Sequence, residues 1–108
     1  MKLSILIPVF DEIKYLDLFT RQLKKSFETE NVEYIFVDDG STDGSTEWLK
    51  KYIEKESKED NKLLHLNNNQ GKGKALHEGL KICEGDYILF QDSDLELQTD
   101  DSYEMYKI

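Results

Sequence analysis

Tyr34-Ile35-Phe36-Val37-Asp38-Asp39-Gly40-Ser41-Thr42-Asp43-Gly44-Ser45 decides the reading of this chain, and Tyr87-Ile88-Leu89-Phe90-Gln91-Asp92-Ser93-Asp94-Leu95-Glu96 shares its pattern. In both stretches a short run of strand-forming apolar residues breaks into carboxylates and turn formers. Solubility explains surface acids in general, but it does not explain carboxylates placed where a buried strand reaches the surface. Strands that read as continuous apolar runs belong to parallel sheets covered on both faces. In such sheets ligands bind outside the carboxyl ends of the strands.

The remainder of the chain alternates accordingly. Leu3-Ser4-Ile5-Leu6-Ile7 reads as a first buried strand, with Pro8 expected at its end because proline cannot donate to a ladder. Ile13, Leu16, Phe19, Leu23 and Phe27 recur at helical spacing. Asp11 and Glu12 ahead of them suit the positive end of a helix dipole. Tyr34 to Val37 is the second strand. Ser45 or a near neighbour caps a helix with Trp48, Leu49, Tyr52 and Ile53 on its apolar face. Leu63 to Leu66 is a short third strand, and Asn67 to Gly73 a loop. Ala75, Leu76, Gly79 and Leu80 form the stripe of a third helix ended by Gly85, and Tyr87 to Gln91 is the fourth strand. From Thr99 the residues Asp100, Asp101, Tyr103 and Tyr106 suggest the start of a further helix. The expected fold is α/β, a parallel sheet with helices on both faces; with strand order 3-2-1-4, strands 1 and 4 would be neighbours and the crevice would open between them. Its unfinished sheet edge offers a surface for self-association.

Composition limits the function. With 108 residues there is room for one domain. The 23 acidic residues against 14 basic ones give a formal charge of −9, which argues against nucleic acid as a partner, because neutralising phosphates needs a basic patch. Lys72 and Lys74 are the basic residues placed where they look functional. Cys83 is the single cysteine, so no internal disulfide or thiolate cage is available, and a buried, inert thiol is its expected state. Leu3 to Val9 is too short to span a bilayer and makes no signal peptide, which leaves a cytoplasmic protein as the default.

The second acidic cluster carries the sharpest chemistry. Asp-x-Asp-x-Glu presents several oxygens on one side of an extended segment, an arrangement favoured by a hard divalent cation. Asp94 and Glu96 are the candidate ligands of Mg²⁺ or Mn²⁺, and Asp92 is a candidate acceptor for a sugar hydroxyl. The plainer alternative is an acidic turn that caps the next helix. A calcium hand is excluded because Leu97 stands where that loop needs glycine. Asp38 suits a turn better than a site, whereas Asp39 at the end of strand 2 suits a ribose or base edge. Strand 1 runs into Pro8-Val9-Phe10 rather than a glycine-rich turn, so a dinucleotide fold is not indicated. Gly71-Lys72-Gly73-Lys74 lacks the Walker spacing, and its alternatives are a flexible loop or a phosphate contact at a helix start. His65, in a strand, and His77, on a helix, show no metal-ligand partner.

Four segments in order resemble a known family, the family 2 inverting glycosyltransferases. Ile5-Leu6-Ile7-Pro8-Val9-Phe10-Asp11-Glu12 resembles their opening "IPVYNE", and Phe36 to Ser45 their "VVDDGSTDGT". Asn69-Gln70-Gly71-Lys72-Gly73-Lys74-Ala75 is similar to "NxGxGxA". Gln91 to Glu96 is similar to the "QDADLE" of the polyprenyl-phosphate sugar transferases in that family. The resemblance implies a Rossmann-like fold with that strand order, in which residues 1–108 are the nucleotide-sugar-binding N-terminal part of such a domain. It implies Pro8, Phe10 and Glu12 along the nucleotide pocket, Val37 and Asp39 at the base, Asp92 at the donor, and Asp94 and Glu96 on the metal. Lys72, Gln91 and Ser93, within the same motifs, complete the expected donor-binding set. The implied reaction moves a sugar from a nucleotide diphosphate to a lipid phosphate or a saccharide with inversion. The catalytic, acceptor-side residues are expected outside these 108.

Three departures stand out. Phe10 replaces tyrosine, Asp11 replaces asparagine, and Leu97-Gln98-Thr99 replace the aromatic, acid and proline of the lipid-phosphate subgroup. Two other functions are compatible with parts of the pattern: a module that holds nucleotide without transferring sugar, and a phosphoryl-aspartate enzyme using Asp92 as nucleophile. The latter leaves the other three motifs unexplained.

Overall fold

The computed structural model describes residues 1–56, 59–93 and 105–107. Its elements are β1 (Leu3–Val9), α1 (Leu16–Ser26), β2 (Val32–Asp39), α2 (Ser45–Lys55), β3 (Asp60–Leu66), α3 (Lys72–Leu80), β4 (Tyr87–Phe90) and β5 (Met105–Lys107). The sheet order is β3-β2-β1-β4-β5, in which the first four strands are parallel as expected. After β3 the chain crosses back over β1 to reach β4. Right-handed crossovers therefore place α1 and α2 on one face and α3 on the other.

Alternation along each strand fills both faces. Leu3, Ile5, Ile7 and Val9 of β1 join Val32, Tyr34 and Phe36 of β2 against Leu16, Phe19, Leu23 and Leu49 of α1 and α2. Leu6, Ile35 and Val37 point the other way, onto Ala75 and Leu76 of α3. Gly79 lets α3 approach that face, because a Cβ there would lie 2.9 Å from Val37 Cγ2 and 3.0 Å from Leu6 Cδ2.

Three local expectations are corrected. Pro8 does not end β1; the strand continues to Val9, with Pro8 in register with Val37. The ladder to β4 stops at Leu6 paired with Phe90, and the Pro8 carbonyl accepts the Ser93 hydroxyl at 3.0 Å. The missing N–H thus falls where no ladder asks for it. α3 ends at Leu80 rather than at Gly85, which instead packs against Ser4 and the backbone of Lys2. The helix expected after Thr99 is replaced, at Met105–Lys107, by a strand antiparallel to β4. An edge strand leaves a row of backbone donors and acceptors, and pairing satisfies them where a nascent helix turn would not. The rest of that segment lies outside the described residues.

At the end of the sheet away from the strand carboxyl termini, Glu33 is fully buried. Its carboxylate accepts the Ser4 hydroxyl, the Glu84 backbone N–H and, at 2.7 Å, the Lys62 ammonium. Burial alone would raise its pKa. The bonds from Lys62, Ser4 and Glu84 outweigh that and hold it below the usual 4.5.

Two predictions follow from this packing. Gly40 has φ +74°, and a Cβ there would lie 2.5 Å from the backbone of Asn68 and Asn69. Gly40→Ala should therefore cost about 2 kcal/mol or more in urea denaturation, since backbone cannot yield as a side chain can. For Glu33, a depressed folded-state pKa means that its contribution is present above 4.5 and is lost as pH falls through the folded value. Glu33→Gln should be less stable than the parent at neutral pH and lose less stability on acidification, measured by denaturant midpoints across that range.

Candidate active site

All four parallel strands point their carboxyl ends to one edge, and the segments leaving them enclose a cleft of about 240 Å³. Pro8, Val9, Phe10 and Glu12 come from the β1–α1 segment, Asp39 from the end of β2, and Asn69, Gly71 and Lys72 from the start of α3. Asp92 and Ser93 come from the end of β4.

The β1–α1 wall of the cleft is held in place by the β2–α2 loop. Ser41, Asp43 and Ser45 catch three consecutive backbone donors of the β1–α1 segment. The N–H of Asp11 donates to Ser41 Oγ, that of Glu12 to Ser45 Oγ and that of Ile13 to Asp43 Oδ2, each at 3.0 Å. In return Asp11 Oδ1 accepts the Thr42 N–H at 2.7 Å. Asp11 takes φ +49°, a conformation that Asp and Asn tolerate better than most residues, so its replacement of asparagine keeps both the turn and an acceptor. Asp43 also accepts the Ser45 N–H at 3.0 Å, which makes it the side chain that caps α2.

Asp38 and Asp39 end β2 side by side but do different work. Asp38 is fully buried and faces α2. It accepts the Ser41 N–H and the Thr46 hydroxyl, and its Oδ2 lies 2.9 Å from His65 Nδ1. Burial would raise its pKa, yet the Ser41, Thr46 and His65 bonds hold it below the usual 3.8. It secures the loop and does not line the cleft. Asp39, 3% exposed, does line it. Its two oxygens accept the N–H groups of Gln70 at 2.8 Å and Gly71 at 3.0 Å, which fastens the start of α3 to the end of β2. A carboxylate has about four acceptor positions, so Asp39 keeps capacity for a ligand N–H or O–H.

Of the expected donor-binding residues, Pro8, Phe10, Glu12, Asp39, Lys72, Asp92 and Ser93 meet in this cleft. Phe10 lines the cleft and is 44% exposed, unusually open for a phenylalanine. Val37 is in the core under α3, and Gln91 is nine-tenths buried with its side-chain amide on the Asp92 carbonyl at 3.2 Å. Lys74 pairs with Glu78 along α3 at 3.1 Å instead of entering the cleft. Lys72 reaches across it to the Asp92 carboxylate. Among the described lining residues it is the only cation, against the carboxylates of Glu12, Asp39 and Asp92. Cys83 is half-buried, with its thiol on the Gly79 carbonyl at 3.5 Å, and burial raises its pKa.

Asp94 and Glu96 lie outside the described residues. Within the described ones no group of three His, Cys, Asp or Glu side chains could hold a metal ion. Also among these residues, no helix is long and apolar enough to cross a membrane. Val9, Asn69 and Gly71 are cleft residues that stand within the sequence motifs but outside the expected donor-binding set. Their signal was membership in the same two loops, and nothing local to the sequence says which loop atoms face inward.

Comparison with known proteins agrees with this geometry. The family profile described as Glycosyl transferase family 2 matches residues 4–108. An uncharacterized glycosyltransferase of Haemophilus influenzae is 40% identical over 93 residues, covering 85% of this chain and 36% of that protein. The dolichyl-phosphate beta-glucosyltransferase of Dictyostelium discoideum is 34% identical, with 85% and 30% covered. The crystal structure of S. aureus TarS 1-349 in complex with UDP superposes with a TM-score of 0.73 at 33% identity, over 87% of this chain and 28% of that one. The chain thus spans about a third of the length of these relatives. A motif set, a sheet order and a cleft that agree with one another place this chain in glycosyl transferase family 2.

Proposed function

We propose that residues 1–108 form the nucleotide-sugar donor site of an inverting glycosyltransferase, a sugar being moved from a nucleotide diphosphate to a lipid phosphate or a saccharide. The observation that carries this reading is the convergence of Phe10, Asp39, Lys72 and Asp92 from separate segments on one cleft. Support also comes from TarS, which has been crystallised with UDP and with UDP-GlcNAc. The name of the Dictyostelium relative states a dolichyl-phosphate acceptor, which supports a lipid phosphate as one acceptor class.

Each residue has a distinct task in this reading. Phe10 stacks on the base. Asp39, acceptor-only and held by two backbone N–H groups, takes a base N–H. Lys72 meets the diphosphate, and Asp92 a sugar hydroxyl. Asp94 and Glu96 are the proposed ligands of a Mg²⁺ or Mn²⁺ ion, which would neutralise the leaving diphosphate as a Lewis acid. Attack on the face opposite the diphosphate inverts the anomeric carbon.

Calorimetric titration with UDP and GDP, with and without Mn²⁺, tests the reading. Binding of one of them is expected, and failure of a folded chain to bind either would refute a donor site in these residues. Release of sugar from the matching donor, to water or to a lipid phosphate, then separates a transferase from a unit that only holds nucleotide. Phe10→Ala should weaken nucleotide binding by about 1–3 kcal/mol and Phe10→Tyr should retain it, since the tyrosine ring keeps the stacking face. Asp39→Asn should weaken nucleotide binding about tenfold or more even without metal, because the loss is a hydrogen bond to a charged acceptor. An effect confined to metal-containing titrations would contradict a base contact.

A further inference from the structure

We infer that the Lys72–Asp92 ion pair is a latch across the cleft, and that a nucleoside diphosphate opens it by drawing Lys72 onto its phosphates and so releasing Asp92 for the donor sugar. This rests on the donor-site reading above and adds a control to that site. Lys72 is the first residue of α3 and Asp92 follows β4, so the pair joins opposite walls. Both side chains line the cleft, and both are half-exposed, at 59% and 50%.

Charge makes the competition unavoidable. Among the described lining residues, Lys72 is the only cation available to a diphosphate, and it is bonded to a carboxylate of the same cleft. Glu12, Asp39 and Asp92 would otherwise repel that diphosphate. An ion pair this exposed is weak, so one diphosphate, carrying more charge and more acceptors than Asp92, can displace it. The α3 start is suited to receive the anion as well. Its first turn holds no acidic residue, and a Cβ at Gly73 would meet nothing within 4 Å. A bare nucleoside has nothing to offer Lys72. Release of Asp92 is therefore favoured when a phosphate has engaged, which links sugar contact to recognition of the diphosphate.

A double-substitution cycle tests this. Affinities of the parent chain, Asp92→Asn, Lys72→Met and the double variant are measured by calorimetry in EDTA, with UDP and uridine or GDP and guanosine. Diphosphates are used without sugar so that the expected sugar contact of Asp92 does not enter, and circular dichroism verifies folding. The expected result is that Asp92→Asn tightens diphosphate binding about three- to fivefold in the parent. In the Lys72→Met background the gain should be clearly smaller. Equal gains in both backgrounds would show general charge repulsion and overturn the latch, as would no gain in the parent. Nucleoside binding with either of those outcomes removes the latch alone. If diphosphate binds a folded chain only once Mn²⁺ replaces the EDTA, the metal rather than Lys72 engages the phosphates and the latch alone falls. If neither nucleoside nor diphosphate binds in either condition, the donor-site reading fails, and the latch with it.

Discussion

The interaction on which the cleft depends is the grip of one loop on another. Three backbone N–H groups, those of Asp11, Glu12 and Ile13, leave β1 with no strand partner and precede a helix that begins only at Leu16. Ser41, Asp43 and Ser45 accept all three, at alternate positions of the β2–α2 loop. The Glu12 donor is half-buried and would cost about 1–3 kcal/mol if left unpaired, while the bonds of the exposed Asp11 and Ile13 donors fix the path of the segment. The grip fixes where Phe10 and Glu12 stand, and Asp38 holds the gripping loop from beneath through Ser41 and Thr46.

The other walls are joined by the same means. Asp39 ties the end of β2 to the start of α3, Ser93 ties the end of β4 to the Pro8 carbonyl, and Lys72 meets Asp92 across the opening. Polar side chains at strand ends therefore bond backbone groups of neighbouring loops first, and retain acceptor positions for a ligand second. That dual use is why the motifs are rich in Asp, Ser and Gly. Short acceptors reach nearby backbone, and at Gly40 only a residue without Cβ permits the approach to Asn68 and Asn69.

Much of this was legible in the chain. The apolar runs of β1, β2 and β4 and the helical stripes of α1 to α3 indicated a parallel sheet with helices on both faces, because periodicity is a local property, and the order 3-2-1-4 expected for such a sheet is the one observed. The carboxyl-end rule then put the cleft where seven of the expected residues meet. Legibility failed where a residue's task depends on a partner far along the chain. Val37 ends an apolar run beside the motif aspartates, yet its side chain faces α3 rather than the ligand edge. His65 looked idle and proves to be a partner of Asp38. Lys72 and Lys74 both stood where a basic residue looks functional, and Lys72, the one placed in the donor-binding set, crosses the cleft while Lys74 lies along its helix. Met105–Lys107 suggested a helix by spacing and is a strand because β4 had an open edge to pair.

The sequence by itself determined the fold class, the edge that carries the cleft and the family to which the chain belongs. Each of these follows from short-range pattern: apolar periodicity, turn chemistry and motif spacing. Tertiary structure alone decided which of two adjacent aspartates faces the cleft, what each already holds, and which lysine is available to an anion. Those outcomes depend on the register of β1, β2 and β4 and on the side of the sheet that α3 covers. A one-residue change of register turns every side chain to the opposite face. The local sequence would be unchanged by such a slip, and the site would be lost.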